Sequence, residues 1–424
     1  MDSNKYSLNN LQHEATAPHR FLQAMRSRSK GSEYMMTPKS HRIISCPEGD
    51  LFLDCRLISG GHILLAIAAY SFHIWDLRAP QPVQVWSIAM EFTYLLMYSV
   101  MSAEELRILL PGQVIDDRAE LYILTYNHES SNVAMKKIML GAWPPDQDPI
   151  FTVSTNLFCY TYNSILYLCD LEREQVFQWS ISVTDNLEIM LDEPSGLLLL
   201  ISPSKVYCYD LNIKDLMKPE SAHTSPQIQP LSPLLPKFVF DIPGSQDILQ
   251  YTVIDVRRQA IWYHQSHFPR LFDICFSRPH GDWSPQANNS TFYSYKISLP
   301  IENGDAGRVE FISRHTPPMH HDYVADLAIY AYRVSCGRIF KTFYESSAPP
   351  TCVQVMFWDV EDAGSRDRSS EAYVQVELVF PSPAAWANGD TTISVDPVCG
   401  RVCYLADDFS SIAIVDYLDP YVDQ

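Results

Sequence analysis

Glycine is scarce in this chain, with 15 among 424 residues and none of them clustered. Gly-x-Gly-x-x-Gly, a Walker-type loop, Gly-x-Ser-x-Gly and His-Glu-x-x-His are all absent, which disfavours the nucleotide-binding and hydrolytic folds built on those turns. None of the ten cysteines forms a Cys-x-x-Cys pair, and most lie in apolar runs such as Val206-Tyr207-Cys208-Tyr209. Buried free thiols in a reducing compartment account for that pattern better than a disulfide framework. The longest apolar run, Ile63 to Tyr70, falls far short of the ~20 residues a membrane helix needs. The opening Met1-Asp2-Ser3-Asn4-Lys5 has no signal-peptide core, so the overlapping sequons at Asn288 and Asn289 are read as chance. Long 3.6-period segments are missing too, and only Ser102 to Leu106 reads as briefly helical.

Charge is low in amount and lopsided in sign. Charged residues make up 19% of the chain and the net charge is −19. Residues 1–45 hold seven Lys or Arg against three acidic residues, a net of +4, which leaves −23 on the rest. So acidic a body repels phosphates and anionic lipid, and neither nucleic acid nor membrane is expected as a partner. Residues 1–40 read as a basic, solvated, disordered arm. Its Arg26-Ser27-Arg28-Ser29-Lys30 run also fits a nuclear import signal. The expected location is cytoplasmic, with the nucleus as the second option.

What the chain does have is apolar strands: 46% of its residues are hydrophobic and 12% aromatic. A strand ending in an acidic or polar residue recurs. It runs Phe72 to Leu77, Leu166 to Leu171, Val206 to Leu211, Val355 to Val360 and Ile412 to Tyr417, with looser copies at Leu121 to Tyr126 and Phe292 to Ile297. Counted at residues 76, 126, 170, 210, 296, 359 and 416, these give seven units. Several are preceded by a tight hairpin, as in Asp192 to Gly196, Cys336-Gly337 and Asp396 to Gly400, where glycine supplies the positive φ such turns require. Ile254 to Ala260 takes the same place without a glycine. A fourth strand follows at Val83 to Ile88, Gln175 to Ile181 and Ala372 to Phe380. Four strands repeated seven times predict an all-β fold, a seven-bladed β-propeller of four-stranded antiparallel blades over residues 41–424. Only eight residues follow Asp416, too few for a fourth strand, so His41 to Ser45 is expected to complete the last blade and close the ring.

Three insertions interrupt the rhythm. Residues 212–236 hold five prolines and read as a polar loop, and residues 361–370 are charged and small. Residues 265–290, placed between the second and third strands of the fifth unit, carry Phe268, Arg270, Phe272 and Trp283. Aromatics beside arginine are the composition of a binding hot spot, and these four are the candidate partner-binding residues. Elsewhere the chemistry is sparse. His264 and His267 are three apart on a strand, so they project to opposite faces, and His315 with His320-His321-Asp322 falls at a proline-rich loop. Asp116-Asp117 and Asp407-Asp408 sit where turns are expected, and the Asp ending each third strand is read as a cap on the following turn. No catalytic residue, metal site or cofactor is assigned.

Two copies end in a literal Trp-Asp, Trp75-Asp76 and Trp358-Asp359, and the chain is similar to WD-repeat proteins. It lacks their Gly-His at the usual distance, so their buried hydrogen-bond tetrad is not expected. The first unit, Leu57 to Leu65 with Ile74-Trp75-Asp76-Leu77, and the last, Ser394 to Val402 with Ile414 to Tyr417, resemble the propeller-like region of fungal F-box proteins. That resemblance implies a substrate-recruiting subunit of a cullin-type ubiquitin ligase, partnered by the ligase adaptor. Residues 1–45 show no Leu-Pro-x-Glu start and no leucine-rich F-box helix, so no residue's role is carried over. The reading is a non-enzymatic, monomeric protein-interaction scaffold. An enzyme or small-ligand binder using the propeller channel is the alternative.

Overall fold

Short apolar runs bounded by turn residues fold here as antiparallel meanders. The computed structural model describes residues 17, 20–21, 23–27, 35–47, 50–58, 60–89, 97–100, 105–115, 118–127, 129–143, 150–183, 188–193, 196–202, 204–211, 228–231, 233–243, 252–258, 270–278, 291–299, 307–315, 332–334, 338–343, 351–358, 373–387, 390–391, 393–396 and 399–418. Among them are seven sheets of four or five strands and one of two. The first sheet joins Phe52–Leu57, Ile63–Ala68, Ser71–Asp76 and Val83–Ala89 in that order. The second runs Met97–Val100, Glu105–Ile115, Arg118–Asn127 and Asn132–Ala142. The third begins Ile150–Val153, Leu157–Tyr162, Ile165–Asp170 and Gln175–Ser180. Glu188–Asp192, Leu197–Ile201, Lys205–Asp210 and Phe238–Asp241 make the fourth. Thr252–Arg258, Arg270–Arg278, Thr291–Leu299 and Arg308–His315 make the fifth. The sixth begins Tyr332–Val334, Arg338–Phe343, Cys352–Trp358 and Tyr373–Val379.

The seventh sheet draws on both ends of the chain. Ile393–Asp396, Arg401–Leu405 and Ser411–Asp416 supply three strands, and Ser40–Ser45 pairs antiparallel with the last of them from Ser40↔Asp416 to Ser45↔Ser411. The recurring strand of the sequence is the third in all seven sheets. In the second sheet that strand runs on to Asn127, which faces Glu105 as Asp416 faces Arg401 in the seventh.

Burial follows position in the sheet. Ile63–Ala68 and Leu197–Ile201 are buried at every residue, which is why they read as unbroken apolar runs rather than alternating ones. Outer strands are half wet, as in Ser40–Ser45 and Phe238–Asp241, where exposure alternates. Gly196 and Gly400 take φ of 65° and 68° in their hairpins, the left-handed conformation glycine adopts without penalty.

By contacts the chain divides into two units, Met1–Met90 with His280–Asn289 and Pro317–Gln424, and Glu91–Pro279 with Ser290–Thr316. The first unit holds sheets one, six and seven. One of its cores joins the first and seventh sheets through Phe52, Leu64, Cys403 and Ile412, and another joins the sixth and seventh through Val353, Leu378, Val402 and Tyr404. The second unit packs its sheets in sequence, the second on the third through Leu121 and Tyr160, and the third on the fourth through Leu168 and Leu200. Leu199 and Ile297 belong to the core that joins the fourth sheet to the fifth.

Several expectations are corrected. Residues 212–236 are not all loop: Ile228–Pro230 adds a fifth, parallel strand to the third sheet at Gln175–Ser180, and Leu231 and Leu234 pack on that core. Residues 212–227 and 361–370 lie outside the described residues. The N-terminal arm is not free of the body either. Residues 20–21 and 23–27 are helical, with Phe21 and Met25 fully buried, and Met35–Met36 pairs parallel with the sixth sheet at Glu377 and Leu378. Glu105 and Leu106 open a strand rather than a helix. The fifth sheet's first strand runs through Arg258, so the hairpin expected at Ile254 to Ala260 starts later. Removing residues 1–46 takes away the outer strand of the seventh sheet, and the shortened chain should lose its cooperative melting transition by circular dichroism. An unchanged melting temperature contradicts this.

Candidate functional site

Polar side chains concentrate where the chain ends meet. Asp416 Oδ1 accepts Arg401 Nε at 2.5 Å, while Oδ2 accepts Ser40 Oγ at 2.7 Å and Arg42 Nη2 at 3.2 Å. All three donors lie on the strands flanking Asp416, so the cluster knits the seventh sheet across its width. It also reaches the first sheet: Arg42 Nη1 donates to the carbonyls of Leu77 and Ala79 at 3.2 and 3.1 Å, and Arg401 Nη1 to that of Gly61. Leu57 N donates to Ser394 Oγ at 2.9 Å between the same two sheets. Burial works to raise the Asp416 pKa, but Arg401, Ser40 and Arg42 outweigh it and hold the carboxyl below its usual value. Arg107 repeats the device in the second unit, donating from a second strand to Thr155 O and to Asn156 Oδ1 of the next sheet's hairpin.

The expected turn-capping role of the strand-end aspartates fits two of them. Asp76 accepts Arg78 N at 2.9 Å, and Asp170 accepts the backbone of Glu172 and Arg173 at 2.9 and 3.0 Å. Asp408 likewise accepts Ser410 N and Oγ. Asp416 instead ties strands together, and Asp210 takes Lys237 Nζ at 3.0 Å.

One half-buried relay looks catalytic in composition but not in order. Ser71 Oγ lies 2.7 Å from both Asp50 Oδ2 and His73 Nε2. An ionised carboxylate only accepts, so the single hydroxyl proton goes to Asp50 and His73 Nε2–H donates to Ser71. Burial lowers the His73 pKa, against a hydrogen bond with Gln84 and the Asp50 charge, which raise it. Nucleophile activation needs histidine between serine and carboxylate; here serine is in the middle, and the arrangement fixes a turn. Asp50 also accepts Leu51 N and Tyr70 N at 2.9 and 3.3 Å, and Ala69 N donates to Leu51 O at 2.9 Å. That pinned turn carries Leu51 and Tyr70, whose backbone amides share one carboxylate and which are 49% and 63% exposed.

Of the four sequence candidates, Arg270 and Phe272 lie in the second strand of the fifth sheet, facing Leu299 and Ile297, not in a loop. Phe268 and Trp283 lie outside the described residues, as do His264, His267, His320, His321, Asp116 and Asp117. The turn at Leu51 and Tyr70 was missed because nothing in sequence shows that two apolar residues 19 apart converge on one aspartate. Exposed Ile43, Val83, Met135, Val239 and Phe311 were missed too; each sits on the fourth strand of its sheet. Among the described residues no group of three His, Cys, Asp or Glu could hold a metal ion, and no helix is long and apolar enough to cross a membrane.

The geometry defines an all-β protein of repeated four-stranded antiparallel sheets. No protein-family model and no curated protein matches the chain. Among solved structures it is similar to the WD40 domain of SCAP from fission yeast, with 12% identity and a TM-score of 0.45 over 87% of this chain and 84% of that one. It is also similar to the fission yeast SREBP–SCAP binding-domain complex, with 13% identity and a TM-score of 0.39 over 72% of this chain and 80% of that one. So distant a likeness carries no argument about function, and the fold stands on the chain's own strand order.

Because the folded Asp416 pKa is depressed, its stabilisation is present above the unfolded value of about 3.9 and is lost as pH falls through the lower native value. Denaturant melts of wild type and Asp416→Asn should differ most at neutral pH and converge below about pH 4. A gap that does not change with pH contradicts this.

Proposed function

We propose that the seven sheets are blades of one closed β-propeller whose role is to hold a protein partner, not to catalyse a reaction. The observation that carries this reading is the turn at Asp50. It holds an aromatic and an aliphatic side chain outward on a backbone fixed by three carboxylate hydrogen bonds and one between main chains. A rigid, exposed Tyr beside Leu loses little entropy on binding and has the character of an interface anchor. The identical strand order of the sheets and the N-terminal strand on the seventh support the closed architecture. The chemistry of the Asp50–Ser71–His73 relay supports the non-enzymatic role, since its serine proton is committed to Asp50.

Two finer readings belong to the same proposal. The first and last units resemble fungal F-box proteins, which supports kinship with substrate-recruiting subunits of ubiquitin ligases. The aromatic and basic composition around Phe268, Arg270, Phe272 and Trp283 supports a second contact region.

Affinity purification of the full chain from its own cells, with quantitative mass spectrometry, tests all three. The wild type should retain a protein partner that Tyr70→Ala with Leu51→Ala loses by about tenfold or more, the scale of one hot spot, at an unchanged melting temperature. Phe268→Ala with Trp283→Ala reads the second region in the same way. Near-stoichiometric recovery of the ubiquitin-ligase adaptor supports the ligase reading. Partners retained equally by every variant overturn both contact regions.

A further inference from the structure

The N-terminal arm sits on the sixth and seventh sheets much as a bound peptide would. Phe21 and Met25 lie four residues apart on helical backbone, hence on one face. Both are fully buried against a cluster that includes Val353, Val355 and Leu378 of the sixth sheet and Val402 and Val415 of the seventh. Gly400 makes the seat. Its φ of +68° shapes the hairpin, and a Cβ there would stand 2.9 Å from Phe21 Cδ2 and from Leu418 Cγ. The chain then returns as Met35–Met36, whose two residues pair parallel with Glu377 and Leu378, with Met36 buried in the same cluster.

The arm's strand pairing is shorter than that of the segment that follows it. Ser40–Ser45 is held by six paired residues and by the Asp416 cluster. Among the described residues before it, Met35 and Met36 pair with the sixth sheet and Phe21, Met25 and Met36 are buried in the core. Charge favours the same geometry: the docked residues include Arg20 and Arg26, and residues 46–424 carry a net −23. An apolar seat that takes an i, i+4 pair from a short basic helix matches helix-in-groove recognition.

We propose that the trough between the sixth and seventh sheets is a helix-docking site, occupied in cis by Phe21, Met25 and Met35–Met36 of the N-terminal arm. When the arm leaves, it takes a partner's basic amphipathic helix bearing an aromatic residue and a Met or Leu four positions later. The inference rests on the scaffold reading above and names a partner chemistry for it.

The probe is a fluorescein-labelled peptide of residues 16–37, titrated by anisotropy into the full-length wild type and into full-length Phe21→Asp with Met25→Asp. An occupied site weakens apparent affinity by the fraction of molecules that are open, so the variant should bind at least about tenfold more tightly than the wild type. Equal binding by the two proteins overturns the proposal. So does a variant that no longer melts cooperatively, because the arm is then an integral part of the core. Hydrogen exchange on the wild type gives a reading that needs no variant. Amides of residues 20–27 and 35–36 should exchange about 100-fold faster than those of Arg42 to Ile44, as expected for a locally opening segment. Equal protection overturns the proposal. The peptide reads the trough without any cellular partner, so its failure leaves the scaffold reading standing, and an empty purification leaves the trough standing.

Discussion

Asp416 is the residue on which the two ends of the chain converge. Its carboxylate takes Arg401 from one neighbouring strand and Ser40 and Arg42 from the other. The same two arginines then donate to carbonyls of the first sheet. A strand whose paired residues are 366 to 376 positions away in the chain cannot rely on a tight turn to fix its register. A one-residue slip would also exchange its buried and exposed faces. A charge cluster supplies the missing specification, because only one register places all three donors on one carboxylate. Partly buried ion pairs are costly to desolvate and add little net stability. Their value here is in choosing the pairing.

Around that constraint the sheets are graded from inner to outer strand. Inner strands are buried on both faces and contribute the cores. Outer strands alternate, and their wet positions carry the exposed Ile43, Val83, Met135, Val239 and Phe311. Two outer edges are covered by the chain itself, at Ile228–Pro230 and at Met35–Met36. Covering an edge with a short parallel segment removes unpaired backbone groups that would otherwise template association. Apart from Arg270 and Phe272 in a strand of the fifth sheet, the described functional candidates lie at turns and at the N-terminal arm.

Much of this was legible in sequence, for physical reasons that can be named. The third strands are legible because most combine a largely apolar run with a polar end, and the hairpins at Gly196 and Gly400 because positive φ favours glycine. The fifth sheet's first hairpin has no glycine to mark it, so the sequence pattern puts Arg270 and Phe272 in a loop where the structure has a strand. Ile228–Pro230 and Met35–Met36 are too short to show any period, and prolines around the first argue for a loop. The arm's docking had a signal that was overlooked: Phe21 and Met25 at i, i+4. It was hidden by the polar residues around it, which set the average of that region.

The central claim is that the Asp416 cluster couples the N-terminal strand to the last one. A double-mutant cycle between Arg42→Met and Asp416→Asn, followed by denaturant unfolding at neutral pH, measures that coupling directly. Residues that share one ion network interact by about 0.5–3 kcal/mol, and a favourable coupling of about 1 kcal/mol or more is the predicted result. Additivity within about 0.3–0.5 kcal/mol, the behaviour of independent sites, would contradict it.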